Sequence, residues 1–279
     1  KSMPELPEVE TVRLAISKVV NKALIEKVDI FRYDLRWKIK DDLKIDLEKD
    51  FFKTPFRLGK YILIPTNKEN VLLIHLGMSG QIKIQNKKYE KTKHDHINIV
   101  VKTECDLTYN ITYNDPRRFG YIDLLKKKDI HKHFLLNKLG VEALGRELTV
   151  SNLKPLFINR KKSIKNTLID QTVIAGIGNI YASEILYKAK IHPFRSTNSL
   201  SEIDLESIIK ACRFILKKAI KLGGTTIKNH AQPDGKLGYF KQKLKVYGRA
   251  GKKCFSCKNN ILNNSIANRS TYYCDYCQI

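Results

Sequence analysis

Four cysteines carry the most specific chemistry in the chain. Cys254-Phe-Ser-Cys257 and Cys274-Asp-Tyr-Cys277 are two Cys-x-x-Cys pairs separated by sixteen residues. Each pair makes a tight knuckle, and a hairpin between them can bring four thiolates to tetrahedral positions around one zinc ion. The competing readings are a pair of disulfides or a redox dithiol. The start of the chain, Lys1-Ser-Met-Pro4, has no apolar signal segment, which argues against the first, and the tandem arrangement argues against the second. With four protein ligands no position is left open for substrate, so the ion is expected to hold a small module together. Cys105 and Cys212 stand alone and read as inert core thiols.

The remaining candidates are acids, bases and aromatic turns. Pro4-Glu5 and Pro7-Glu8 set two carboxylates beside prolines at the start of a helix. Ordinary helix-start chemistry accounts for Pro7, Glu8 and Glu10 but not for Pro4-Glu5. Lys60 follows a turn glycine in Phe56-Arg-Leu-Gly-Lys-Tyr61 and, taken alone, reads as a solvated lysine at a strand edge. His75-Leu-Gly-Met-Ser-Gly80 displays Met78 on a glycine loop. Asn114-Asp-Pro-Arg-Arg-Phe-Gly120 puts Arg117 and Phe119 on another turn, either as a wedge for a base stack or as a hairpin with a buried ring. Gly176-Ile-Gly-Asn179 reads as a break between two helices, the second starting at Asn179 with backbone N–H groups free to hold a phosphate.

These residues need a frame. Val9, Val12, Ile16, Val19 and Val20 recur at helical spacing after Pro7. Between about Lys27 and Leu125 short apolar runs alternate with polar turns, among them 61–65, 71–75 and 97–102, and predict a strand-rich domain. From about Leu139 helical periodicity takes over. Ile203, Ile208, Cys212, Ile215 and Ala219 mark one helix, with Ser201 as its cap and Gly223-Gly224 as its stop. Residues 239–247 read as strands leading to the cysteine hairpin. The predicted class is α+β: an N-terminal helix plus β-sandwich over 1–137, a helix–two-turn–helix domain over 138–238 and a zinc-ribbon hairpin over 239–279.

Composition narrows the partner. The 279 residues hold 52 Lys and Arg against 28 Asp and Glu, a formal charge of +24, and 42% hydrophobic residues, enough for a sizeable core. Residues 151–279 carry 23 basic and 7 acidic side chains of that total. Such a surplus points to a polyanion, above all nucleic acid, although a lysine-rich surface would also produce it. With no long apolar run, the expectation is a soluble cytosolic protein.

In their order along the chain these motifs closely resemble the formamidopyrimidine-DNA glycosylases, bacterial enzymes that excise oxidised purines. The resemblance covers essentially the whole chain, from Pro4-Glu-Leu-Pro-Glu-Val-Glu-Thr11 through Gly59-Lys-Tyr61, His75 to Gly80, Asp115 to Gly120 and Asp170-Gln171 with Gly176 to Tyr181, to the closing Cys277-Gln278. It implies double-stranded DNA carrying an oxidised purine as partner, one structural zinc ion, no catalytic metal, a monomer, and a cytoplasmic protein associated with the nucleoid. It further implies that the damaged nucleotide is flipped into a pocket between the domains. The amine of Pro4 would attack the sugar, Glu5 would move protons at the ring, Glu8 would support, and Lys60 would bind the adjacent phosphate. Met78, Arg117 and Phe119 would fill the vacated stack, with Arg117 facing the orphaned cytosine. Asn179 and Arg269 would grip the backbone, and Thr225, Thr226 and Tyr239 would belong to a loop capping the flipped base.

Two departures stand out. The family commonly has Gly where Asn268 precedes Arg269. Lys1-Ser2-Met3 precedes the proline that must carry a free amine, and reads as a tag remnant ahead of a natural start at Pro4. Two alternatives compete: an endonuclease VIII-type glycosylase for oxidised pyrimidines, whose opening resembles Pro-Glu-Gly-Pro-Glu where this chain has Leu6, and a non-enzymatic zinc-ribbon DNA-binding regulator.

Overall fold

The computed structural model describes residues 3–225 and 239–279. It forms two compact units: one runs to Asn137 and takes in Gly223–Tyr239, the other is Lys138–Leu222 with Phe240–Ile279.

The first unit opens with α1 (Leu6–Val20), β1 (Leu24–Ile30) and the short α2 (Leu43–Leu47). Strands β2 (Phe56–Leu58), β3 (Tyr61–Pro65), β4 (Asn70–His75), β5 (Gln81–Gln85), β6 (Asp95–Lys102), β7 (Thr108–Asn114) and β8 (Tyr121–Lys126) follow. They build two antiparallel four-stranded sheets, β1-β6-β7-β5 and β2-β3-β4-β8. Ile25, Ile99 and Ile111 of the first sheet share one core with Ile62, Leu72 and Ile122 of the second, which makes the unit a β-sandwich. Val9, Val12, Ile16 and Val20 of α1 enter the same core. Each such burial contributes about 1.5–3 kcal/mol, against about 1 kcal/mol for a helix cap. Packing therefore holds α1, and its cap only fixes where it starts.

The second unit contains β9 (Val141–Glu142), α3 (Val150–Phe157), α4 (Ile164–Ile169), β10 (Ile174–Ala175), α5 (Asn179–Ala189), α6 (Glu202–Lys221), β11 (Leu262–Ile266) and β12 (Arg269–Tyr273). Ser201 caps α6, bonding the Asp204 N–H at 3.1 Å while the Asp204 carboxylate takes the Ser201 N–H at 2.9 Å. The helix stops at Gly223 and Gly224, with φ of 74° and 76°. Among the described residues no helix is long and apolar enough to cross a membrane.

The structure corrects four details. Residues 239–247 are not strands: Phe240–Lys243 is a 3-10 turn, and the N–H groups of Lys245, Val246 and Tyr247 are taken by the Glu184 carboxylate at 2.9–3.0 Å instead of a neighbouring strand. Helix α4 ends at Ile169, well before Gly176, because the Gln171 side chain claims the backbone of Ile169, Gly176 and Ile177 at 2.8–2.9 Å. Ile203 is 78% exposed, and the buried stripe of α6 runs instead through Leu205, Ile208, Cys212 and Ile215. Cys105 is exposed on the β6–β7 turn, where Glu104 and Asp106 flank it, and only Cys212 is a core thiol, its pKa raised to about 12 by burial.

Candidate active site and metal centre

Glu5 is the N-cap of α1 and is 1% exposed. Its N–H donates to the Glu8 carboxylate at 3.0 Å, and its carbonyl accepts the Val9 N–H, so the first turn locks the backbone immediately after Pro4. Glu8 is also buried. Its other oxygen accepts the Thr225 N–H at 2.8 Å and the Thr225 hydroxyl at 2.9 Å, tying the helix start to the segment after α6. A Cβ on Gly224 would lie 2.8 Å from that same oxygen, so only glycine lets the chain pass so close. Thr225 and Tyr239 pair as an antiparallel bridge, and Tyr239 is exposed. Thr226 lies outside the described residues.

Lys60 is the second residue of the two-residue β2–β3 turn, after Gly59 with φ +55°. It is 5% exposed, so the reading as a solvated strand-edge lysine fails. The turn is held to α1 by Glu10, which pairs with Arg13 at 2.7 Å and with Arg57 at 3.1 Å, while Arg57 donates to the Gly59 carbonyl at 2.7 Å. Burying two carboxylates and an ammonium in one unit costs stability unless each is well satisfied, and such groups concentrate where chemistry is done.

The second constellation is two loops fastened around one carboxylate. Asp115, fully buried, accepts from the Ser79 hydroxyl, the Gly120 N–H at 2.8 Å and the Tyr113 hydroxyl at 3.2 Å. The Arg117 N–H donates to Ser79 Oγ at 3.1 Å. Gly77, at φ +58°, presses against the Phe119–Gly120 backbone, where an added Cβ would sit 2.4 Å from Phe119 C. This clasp puts Met78, Arg117 and Phe119 along one cavity of about 700 Å³ that also touches Met3, Arg36 and His75. The Arg117 guanidinium covers the Phe119 ring at 4.6 Å, and Phe119 is 41% exposed, so its ring is not the buried ring of a hairpin. Burial, then the charges of Lys60 and Arg36, lower the His75 pKa to about 4. The neutral ring accepts the Gly77 N–H at Nδ1, which leaves the hydrogen on Nε2. Replacing Gly77 by Ala is expected to destabilise the protein by about 1–3 kcal/mol through strain and overpacking. A thermal melt of the variant checks this, and an unchanged midpoint would mean that the two loops are not in rigid contact.

In the second unit Asn179 begins α5. Its Nδ2 donates to the Ser270 carbonyl at 2.9 Å, while its Oδ1 is buried and has no partner among the described residues. Lys165, fully buried, donates to the same carbonyl at 2.8 Å and to Thr271 Oγ1 at 2.7 Å, so α4 and α5 both grip strand β12. Arg269 lies exposed just after the β11–β12 turn. Ala267 and Asn268 form that turn with φ of 47° and 59°, and Asn tolerates the left-handed conformation.

The ligand atoms of Cys254, Cys257, Cys274 and Cys277 all lie within 4.8 Å of one another. The closest pairs, at 3.4 and 3.9 Å, are far longer than a disulfide bond and suit thiolates sharing an ion. Burial opposes ionisation of Cys254, but the Tyr187 hydroxyl and the N–H groups of Cys257 and Ser256 outweigh it and bring the thiol to about 6. Gln278 completes the knuckle: its Oε1 accepts the Cys274 N–H and its Nε2 donates to the Ile191 carbonyl, both at 2.9 Å.

Sequence reasoning missed Lys165, Glu184 and the clasping role of Asp115. An Asp before Pro-Arg signals a turn and could have marked Asp115, whereas nothing local distinguishes Lys165 from the many surface lysines.

Residues 3–122 match the formamidopyrimidine-DNA glycosylase N-terminal domain, and residues 139–231 match the H2TH domain of the same enzymes. A sandwich unit with a buried acid at its first helix, a helix–two-turn–helix and a four-thiol hairpin together define a DNA glycosylase of base-excision repair. The formamidopyrimidine-DNA glycosylase of Rickettsia felis is 42% identical over 276 residues, covering 99% of this chain and 98% of its own. A Lactococcus lactis enzyme crystallised with DNA containing Fapy-dG superposes with a TM-score of 0.89 at 32% identity, over 99% of each chain. The wild-type Lactococcus lactis protein with DNA containing an oxidised pyrimidine superposes at 0.88, also at 32% identity and over 99% of each chain. The chain belongs to the formamidopyrimidine-DNA glycosylase family.

Proposed function

We propose that the protein excises oxidised purines, 8-oxoguanine and formamidopyrimidines, from duplex DNA and then cleaves the strand at the resulting site. The observation that carries this reading is the pair of buried carboxylates, Glu5 and Glu8, that follows Pro4, with the buried Lys60 and the cavity lined by half-buried Met78 and exposed Arg117 and Phe119 in the same unit. A purine substrate is favoured by the family match and by Leu6 in the opening motif. Because a Lactococcus lactis relative has also been crystallised with an oxidised pyrimidine, the fold alone does not make that choice.

The chemistry begins at a secondary amine. In the present chain Met3 acylates Pro4, so that nitrogen is an amide with no usable lone pair; the amine exists once the chain begins at Pro4. An α-amine titrates near ~8 against ~10.4 for a lysine, so it holds more free base at neutral pH. The Pro4 nitrogen attacks C1′ of the flipped nucleotide, the bond from C1′ to the base breaks, and ring opening leaves an iminium. Glu5 delivers a proton to the opening sugar. The iminium acidifies C2′; loss of that proton expels the 3′-phosphate, and a second elimination expels the 5′-phosphate. Lys60 binds the neighbouring phosphate, and Glu8 keeps the helix start in place.

Cys254, Cys257, Cys274 and Cys277 would hold one zinc ion, which supplies folding energy to the hairpin and no step of the reaction. That hairpin presents Arg269 to the DNA backbone, beside the N-terminus of α5 at Asn179.

The test is borohydride trapping on a duplex with 8-oxoguanine opposite cytosine, comparing this chain with one that begins at Pro4. Cross-linking and nicking by the Pro4-initiated protein alone is the expected result. Cross-linking by both would assign the nucleophile to another amine. Binding without cross-linking by either would favour the zinc-ribbon regulator.

A further inference from the structure

A second cavity, of about 600 Å³, lies within the second unit and plays no part in the reaction. Phe214, Phe240 and Tyr276 form an apolar floor, and five lysines surround it, among them Lys188, Lys218 and Lys245. Phe214 is 50% exposed and Tyr276 73%. The ammonium groups of Lys188 and Lys218 stand 4.1 and 5.7 Å from the Phe214 ring, which holds the charge at the rim while the stems cover apolar surface. The one acidic residue in the lining, Glu184, is buried and spends its carboxylate on three backbone N–H groups, so it does not neutralise the rim.

The cavity lies at the opposite end of α5 from Asn179. Helix α5 is 11 residues long, about 16 Å at 1.5 Å per residue. Tyr187 and Lys188 of the lining stand at its C-terminal end, and Asn179 at the other. A single strand needs an open track of cations with stacking platforms along it. Here the cations ring a concave floor, an arrangement that suits one apolar side chain entering between acidic neighbours.

We propose that this cavity is a docking site for a partner protein's acidic peptide segment, in which an aromatic or aliphatic side chain flanked by Asp or Glu fills the Phe214–Phe240–Tyr276 floor and the lysine rim pairs with the acids. Recruitment through it leaves the Asn179 end of the unit free for DNA.

The probe is a fluorescein-labelled peptide of four aspartates around one phenylalanine, titrated by anisotropy with the full chain. Saturable binding is expected, weakened roughly tenfold by Phe214→Ala, by Lys218→Glu and by exchanging the peptide's phenylalanine for serine. Both protein positions are exposed and lie outside the catalytic machinery, so the variants keep their melting temperature and their nicking rate in a Pro4-initiated background. Binding indifferent to the phenylalanine on either side would reduce the cavity to nonspecific charge and overturn the proposal. A single-stranded oligonucleotide that binds the wild type, loses affinity on Phe214→Ala and is not displaced by the peptide would assign the cavity to nucleic acid and overturn it equally.

Discussion

Exchanging Glu5 for Gln in a protein that begins at Pro4 is expected to slow base release by about 10²–10⁴-fold, the range for losing a positioned general acid or base. The swap is nearly isosteric at a site that is 1% exposed, the bond from the Glu5 N–H to Glu8 survives, and the amide oxygen can still accept the Glu8 N–H of the capping box. Melting temperature and affinity for a duplex with a non-cleavable abasic analogue should therefore stay close to wild type. Single-turnover excision of 8-oxoguanine provides the readout. A rate within threefold of wild type would remove Glu5 from the reaction and turn attention to Lys60 as the proton carrier. A large loss of affinity would instead mark Glu5 as a structural cap.

Removing the metal is the second large effect. Among the described residues, only Val246 and Ile261 join the cysteines as fully buried members of the hairpin's own cluster. Ordering a backbone costs about 1–2 kcal/mol per residue, and a core of that size cannot hold some two dozen residues from Cys254 to Cys277. Metal binding has to supply the difference, as it does in other four-ligand modules. The protein is expected to contain one zinc ion per chain. Chelation, or Cys254→Ser, should abolish duplex binding by more than about a hundredfold while leaving the first unit folded. The chain has a single tryptophan, Trp37, in that unit, packed edge-on against Tyr121 at 5.0 Å, so its fluorescence reports the unit separately. Stoichiometric zinc with unchanged DNA binding after its removal would show that Arg269 and the hairpin do not grip DNA.

The two predictions draw on different parts of the molecule, and those parts differed in how legible they were. The convergence of the four cysteines could be read from the sequence, because knuckle geometry is local and a Cys-x-x-Cys pair has little else to do at that spacing. Helix α1 and α6 were equally plain from their periodicity and caps. Residues 239–247 were not, since alternating apolar residues look like a strand until Glu184, some sixty positions away, takes their N–H groups. Likewise α4 looked longer than it is, because the Gln171 side chain, not the glycines, ends it.

The sequence by itself determined the chemical inventory: a proline beside acids near the chain's start, a turn carrying Arg117 and Phe119, a four-thiol module and a large positive charge. Type and order of residues suffice for these, because each motif works through neighbours close in the chain. Only the tertiary structure decided which of these groups are buried. Lys60 reads as a surface lysine and is 5% exposed, and Lys165 reads the same and is fully buried. Whether a charge is desolvated depends on what distant segments pack over it. Desolvation is what separates a reactive or structural lysine from one of the many that face water.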